Sequence, residues 1–162
     1  MPIKSRKSPL VRRGRVADLD DLCRLDRLVF KHNCMSRRSL RNLLVARSAH
    51  VVVAEHDGHI SGWAVVLFRS ASWIARLYSI AVAPRGYGLG PALLVAAEVA
   101  ALARERHTLR LEVHVRNHHA IARYRKAGYQ QCGRLKGYYA DNADALRFEK
   151  QLAKPKSRNR RS

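Results

Sequence analysis

The segment Ala83-Pro84-Arg85-Gly86-Tyr87-Gly88-Leu89-Gly90-Pro91 joins a largely apolar run, Trp73 to Val82, to an Ala/Leu-rich run, Pro91 to Arg106. Three glycines at alternate positions free the backbone to approach a ligand closely. The N-terminus of the following helix offers unpaired N–H groups and the positive end of its dipole. The chemistry such a turn suits is the holding of an anion, phosphate above all. It is not the dinucleotide fingerprint, because a G-x-G-x-x-G that starts at Gly86 meets Pro91. It is not a P-loop either, because no Lys-Ser/Thr follows. An ordinary Gly-rich turn is the alternative reading of the motif taken alone.

Other residue types invite chemistry and mostly decline it. Cys23, Cys34 and Cys132 lack C-x-x-C spacing. They suit neither a disulfide framework nor a Cys-based zinc site, and they point to a reducing, cytoplasmic setting. His114, His118 and His119 cross a strand end and a helix start, so one shared metal-binding face is not assured, and no metal is expected. His56 and His59 flank a turn and are expected to be exposed. Trp63 and Trp73 are expected to pack the sheet rather than stack on bases.

The elements that must position these residues follow from periodicity. Leu10 to Arg15 reads as a short strand. Asp18 or Asp20 could cap a helix through Leu22, Leu25, Leu28 and Val29, and Ser36 caps a second helix carrying Leu40, Leu43 and Leu44. Val51 to Ala54 is a strand, Asp57-Gly58 a hairpin turn and Trp63 to Phe68 the return strand. Trp73 to Val82 is apolar enough for a strand covered on both faces. Pro91 to Arg106 is a buried helix, with Pro91 in its first turn. Thr108 to Val115 alternates: Leu109, Leu111, Val113 and Val115 face one way, and Arg110, Glu112 and His114 the other. Asn117 caps a short helix with Ala120, Ile121 and Tyr124 on one face, and Gly128 ends it in the left-handed region. Tyr129 to Gly133 and Ala145 to Leu152 are two last strands. The order β-α-α-β-β-β-α-β-α-β-β describes one α/β domain around a mixed sheet.

The chain has 162 residues, with 32 Lys and Arg against 12 Asp and Glu, a formal charge of +20. That length suits a single compact domain, and 47% hydrophobic residues exclude a disordered basic tail. No apolar run reaches the roughly 18 residues of a membrane span, so no membrane partner is expected. The basic N-terminus has no apolar core behind it, so it is not a secretory signal. Residues 1–16 hold six of the basic residues and no acid, as do residues 150–162. The expected organisation is a basic arm over 1–8, a domain over 9–152 and a basic mobile tail over 153–162. Such arms are either solubilising or electrostatic contacts for RNA or another anion.

Arg85-x-x-Gly88-x-Gly90 after Ile80-Ala81-Val82 resembles the acetyl-CoA motif of the GCN5-related N-acetyltransferases, the GNAT family. Leu111-Glu112-Val113, Asn117, Ala120-Ile121, Tyr124 and Gly128-Tyr129 resemble the family's second motif. Tyr138-Tyr139 and Asp144-Ala145 are similar to the RimI-like branch, which acetylates ribosomal-protein alanine. The likeness spans residues 9–152, with one departure: the turn from Val82 to Gly88 is shorter than the common RimI-like pattern.

The resemblance implies a GNAT-like fold, a mixed sheet of six to seven strands flanked by about four helices, with a splayed strand pair for acetyl-CoA. It implies that the free backbone of Ile80, Ala81 and Val82 pairs with the pantetheine arm as an added strand would. It implies that Arg85, Gly86, Tyr87, Gly88, Leu89, Gly90 and Pro91 cradle the pyrophosphate, largely through main-chain N–H groups, and that Asn117 contacts the cofactor. Glu112 matches the family's general base and Tyr124 its general acid, while Tyr138 and Tyr139 match a pair lining the acceptor groove. Taken without the family, Glu112 would be a surface carboxylate paired with Arg110, and Tyr124 a core aromatic. Oxyanion stabilisation would come from a backbone N–H near Val82.

The implied activity is direct transfer of acetyl to a primary amine, foremost a protein or peptide N-terminal amine. A small-molecule amine is the second possibility. A basic RNA- or ribosome-associated module with a vestigial acetyl-CoA site is the third. The loop Phe30 to Arg38 is polar and basic, and a cationic body repels polycationic acceptors. Asp141, Asp144 and Glu112 could form a local acidic pocket that overrides this repulsion.

Overall fold

The computed structural model describes residues 8–153. The two expected basic arms therefore lie, except for Ser8 and Ala153, outside the described residues. In chain order the elements are β1 (Leu10–Arg13), a 3-10 turn (Val16–Asp18), α1 (Leu19–Phe30), α2 (Arg37–Val45), β2 (Ala49–His56), β3 (His59–Leu67) and β4 (Ile74–Val82). There follow α3 (Leu89–Ala103), β5 (Thr108–His114), α4 (His118–Lys126), β6 (Gln130–Leu135) and β7 (Ala145–Gln151). Seven strands form one mixed sheet in the order β1-β2-β3-β4-β5-β7-β6. Only β4 and β5 run parallel among its neighbours.

The period of two along β2 and β3 builds both sides of the core. Val51, Val53, Trp63 and Val65 face α1 and α2, joining Leu22, Leu25 and Leu40. Val52, Ala54, Ala64 and Val66 face α3, joining Leu93, Leu94 and Ala97. Strands covered on both faces need apolar residues at every position, which is why these runs do not alternate with polar ones. Gly62 lets α3 approach β3 closely: a Cβ there would stand 2.8 Å from Leu93 Cδ1.

The local signals hold where they are chemical. Ser36 Oγ accepts from Ser39 N at 3.1 Å and starts α2. Asn117 Oδ1 accepts from Ala120 N at 3.1 Å and starts α4. Asp57 and Gly58 both take positive φ in the β2–β3 hairpin, and Gly128 ends α4 at φ 95°. Asp18 sits at the start of α1, yet its carboxylate is spent elsewhere. It accepts from Arg15 N at 2.8 Å and pairs bidentately with Arg12 at 2.9 Å. Those bonds hold it below the usual carboxylate range, with the Arg12 hydrogen bond the main cause.

Several expectations are corrected. Trp73 does not pack the sheet; it lies just before β4 and is 77% exposed. β4 is not covered throughout, since Tyr78 is exposed. α3 begins two residues earlier than expected and stops at Ala103, so Arg104 to Arg106 form the turn after it. His56 is half-covered, with its ring 4.1 Å from that of Tyr87.

The feature that makes a site is the parting of β4 from β5. Their parallel pairing runs only from Ile74–Thr108 to Leu77–Leu111. Beyond Leu77, β4 stays paired with β3, where Ala64, Trp63 and Gly62 face Ile80, Ala81 and Val82. β5 meanwhile stays paired with β7 as far as His114. The β3–β4 register slips between Val65 and Val66, leaving Tyr78 as the extra residue of a bulge. A bulge bends and twists its strand, and this one falls where the two strands separate.

Candidate active site

Beyond the bulge, Ile80, Ala81 and Val82 have β3 on one side and no strand on the other. Their backbone groups on that side form an open edge. At its end stands the glycine turn. Gly86 and Gly88 take φ of 94° and 73°, conformations that side chains rarely adopt, and nothing stands within 4 Å of where a Cβ would be. Arg85 and Tyr87 are exposed there. Leu89 is buried in the core, so only its backbone can face a ligand. Pro91 sits third in α3, and having no N–H it can donate none, which removes it from the expected main-chain cradle. Gly90 faces the Arg123 guanidinium of α4, which occupies the space a Cβ would take. Arg123 thus brings a cation to the start of α3.

Across the opening, Glu112 lies on β5 with its side chain only 5% exposed. It is neither on the surface nor paired with Arg110. Arg76 Nε donates to Oε2 at 3.0 Å, and Arg147 Nε and Nη2 donate to Oε1 at 3.2 and 3.1 Å. Arg110 instead pairs with Glu149. Register explains the exchange. Glu112 stands directly opposite Arg147, and Arg110 opposite Glu149, on the antiparallel β5–β7 ladder. Directly opposed residues are about 4.5–5.5 Å apart at Cβ, closer than neighbours two apart along a strand.

Arg76 also reaches the acceptor side, where its Nη2 donates to the Tyr138 hydroxyl at 2.6 Å. Tyr138 meets Tyr139 edge-on at 5.0 Å, and Tyr139 stacks on His114 at 4.9 Å. Burial pushes the Tyr139 hydroxyl up to about 12. Both tyrosines sit in the connection between β6 and β7, not on an edge strand. With Asp26, Met35, Arg76 and Glu112 they line a cleft of about 390 Å³. Asp141 lies 2.8 Å from His114 and Asp144 pairs with Arg134, so each of these carboxylates has a partner of its own.

Tyr124 is buried, with its ring meeting Tyr129 edge-on at 5.9 Å. Burial pushes its hydroxyl up to about 12. The Tyr129 hydroxyl is committed to Glu98 Oε2 at 3.0 Å. Asn117 is exposed and caps α4 with its Oδ1, leaving its NH2 free to face a ligand.

Four residues that sequence patterning did not single out belong here: Arg76, Arg147, Arg123 and Asp26. The first two are legible only through cross-strand register, and Arg123 only through the approach of α4 to α3. Asp26 is 1% exposed on α1. Its Oδ2 accepts from Met35 N at 2.6 Å, while Oδ1 is buried with no partner. The i, i+4 spacing from Leu22 marks it as a core position occupied by a charge. Burial raises its pKa, so its ionised form opposes folding. Its contribution to stability is full below the ordinary carboxylate value of about 3.9 and is lost as pH rises through the higher folded value. Asp26→Asn keeps an acceptor for Met35 N and removes that loss. The variant should gain on the wild type in Tm between pH 4 and pH 7, by roughly 2–4 °C for each 1 kcal/mol recovered. A Tm difference that does not change with pH would show that Asp26 is not buried as a charge.

The residues fit a long, thioester-bearing polyanion: an unpaired strand edge for an amide-rich arm, and an open glycine turn with a helix start and Arg123 for phosphates. The sequence profile of the Acetyltransferase (GNAT) family matches residues 16–129. The chain belongs to this family. A Bacillus subtilis (strain 168) protein, provisionally named a ribosomal protein bS18-alanine N-acetyltransferase, is 34% identical over 143 residues, covering 84% of this chain and 91% of its own. An N-alpha-acetyltransferase of Sulfurisphaera tokodaii is 30% identical over 155 residues, covering 88% and 92%. The solved ribosomal-protein-S18-alanine N-acetyltransferase of Escherichia coli superposes with a TM-score of 0.80 at 22% identity, over 93% of this chain and 97% of that one. This GNAT protein is therefore an N-acetyltransferase with the RimI-like branch among its relatives, and its family uses acetyl-CoA as donor. Among the described residues, no helix is long and apolar enough to cross a membrane.

Proposed function

We propose that this chain acetylates a protein or peptide amine, foremost an N-terminal α-amine, by direct attack on acetyl-CoA. The observation that carries the reading is the cleft beside the β4–β5 parting, where a buried carboxylate and two tyrosines stand next to an open strand edge. Acetyl-CoA supplies the acetyl group as a thioester. Ile80, Ala81 and Val82 hold its arm along the strand edge; Arg85 and the turn from Gly86 to Gly90 hold its phosphates, with Arg123 and Asn117 beside them. Glu112 takes the proton that the acceptor ammonium must lose, and Arg76 and Arg147 hold the carboxylate in place. Tyr124 donates a hydrogen bond to the departing sulfur, and a backbone N–H near Val82 faces the carbonyl oxygen. Nothing in this scheme requires a cysteine or a metal.

The acceptor follows from charge. The cleft carries Arg76, its carboxylate Glu112 is paired with Arg76 and Arg147, burial disfavours a charge on Asp26, and the loop from Lys31 to Ser36 beside it holds Lys31 and no acid. Polycations are repelled, and acidic peptides are drawn in. The names of two relatives, one acting on bS18 alanine and one an N-alpha-acetyltransferase, support the same class of acceptor. The test is thiol release from acetyl-CoA against a panel. Peptides with a free N-terminus and acidic residues behind it should give the highest kcat/KM. A polyamine or an aminoglycoside as best acceptor would overturn this reading. The basic termini, over 1–8 and 153–162, add a second proposal: they keep the enzyme near ribosomes or RNA in the cytoplasm.

A further inference from the structure

At the far end of β4 from the glycine turn, five arginines gather with Glu105 as the one acid among their segments. Arg104 Nη1 donates to the Arg47 carbonyl and Arg106 Nη1 to the Arg104 carbonyl, both at 2.6 Å. Arg106 Nη2 donates to the Arg69 carbonyl at 3.2 Å. Arg104 and Arg106 both lie over the Phe68 ring, at 4.2 and 5.7 Å. Arg13 and Arg104 lie close enough to disfavour a charge on His50, although burial is the larger cause. None of these five arginines has a carboxylate partner among the described residues. Glu105 is the one acid of its segment, and it is exposed. Arg47 and Arg69 are exposed, with side chains free of hydrogen bonds among the described residues. In the same turn as Arg69, where Ser72 N donates to the Arg69 carbonyl, stands Trp73, 77% exposed.

Gathering five guanidiniums without carboxylate partners at one end of the sheet costs repulsion, and exposing an indole forgoes burial. Neither serves the acetyl-transfer cleft. An anion-bearing chain whose planar groups can stack relieves both. We infer that the face formed by Arg13, Arg47, Arg69, Arg104, Arg106 and Trp73 binds single-stranded nucleic acid, its phosphates on the arginines and a base on Trp73. Stacking on one exposed aromatic suits unpaired bases, whose faces are free, rather than a duplex. At about 3.3 Å per residue, the nine residues of β4 set this face roughly 30 Å from the glycine turn, so it is separate from the cofactor's phosphate site. It does not depend on the proposed acceptor.

The test uses the full chain and a fluorescein-labelled 12-mer, oligouridylate in one arm and oligothymidylate in the other, followed by anisotropy from 50 to 200 mM salt. Arg47→Ala/Arg69→Ala should reduce the slope of log K against log salt by about 1.4, since single strands give about 0.7 per phosphate contact. Trp73→Ala should weaken binding at least about fivefold. Because Trp63 is fully buried, the quenching of tryptophan emission by the oligomer should vanish in that variant. Peptide acetylation by both variants should match the wild type, and saturating CoA should not displace the oligomer. Stronger binding of the uridylate than of the thymidylate identifies RNA as the partner, and the reverse identifies DNA. Unchanged affinity and slope in both variants, displacement by CoA, or binding only to vesicles of phosphatidylserine would each overturn the proposal.

Discussion

Glu112→Gln should lower kcat by about 100- to 10,000-fold and leave the affinity for acetyl-CoA unchanged. That is the range by which a positioned base accelerates proton transfer, and a carboxamide cannot take the proton. The size follows from the setting. Glu112 is buried, and Arg76 and Arg147 fix both of its oxygens at 3.0–3.2 Å. Gln retains one carbonyl oxygen for one arginine and turns an NH2 towards the other. Some loss of Tm is therefore expected along with the loss of rate. The split between the two decides the role. Glu112→Asp shortens the reach to both arginines but keeps a base. A rate partly restored in Glu112→Asp, at a Tm no better than that of Glu112→Gln, supports the base. Turnover that follows Tm across both variants would make Glu112 a tether for the arginines.

Tyr124→Phe is the second large effect, a fall in kcat of about 100-fold with little change in Tm. The ring, with its contact to Tyr129, survives the substitution; only the hydroxyl goes. A phenol pushed up to about 12 keeps its proton at any pH the fold tolerates. Against an ordinary thiol of about 8.5, full proton transfer from it is uphill. In the proposed reaction the hydroxyl would therefore stabilise the departing sulfur by hydrogen bonding, with solvent completing the protonation. The loss should be nearly constant from pH 7 to 10. Linkage adds a second signature: Tyr124 contributes stability that is whole below pH 10 and is lost towards pH 12, and the Phe variant lacks that alkaline loss. A Phe variant as fast as wild type on peptide would reassign Tyr124 to the core alone.

Much of the fold is legible in the sequence alone, because it rests on local chemistry. The caps at Ser36 and Asn117, the Asp57-Gly58 hairpin, the glycine turn and the alternation through Thr108 to Val115 each follow from side chains within a few residues. What escaped depends on partners distant in sequence. Glu112 has Arg110 two residues away, yet the β7 register delivers Arg147 and the parallel β4 delivers Arg76. Asp26 fits the apolar stripe of α1 by position, and nothing nearby announces that a loop amide will take one of its oxygens. Trp73 precedes β4 by one residue. That single step places it outside the sheet rather than under it, because the turn closed by Ser72 and Arg69 ends there. Composition likewise showed a surplus of charge without its location; five of those arginines meet only when three separate turns and the end of β1 converge at one end of the sheet.

The bulge at Tyr78 has a mechanical meaning. β1 to β4 and β5 to β7 are two panels joined by only four residue pairs, Ile74–Thr108 through Leu77–Leu111. A molecule laid along the open edge of β4 would take the place of the absent ladder and brace one panel against the other. Loading the donor and completing the sheet are then one event. The spacing between Glu112 on one panel and the strand edge on the other is set by the width of the molecule that fills the gap.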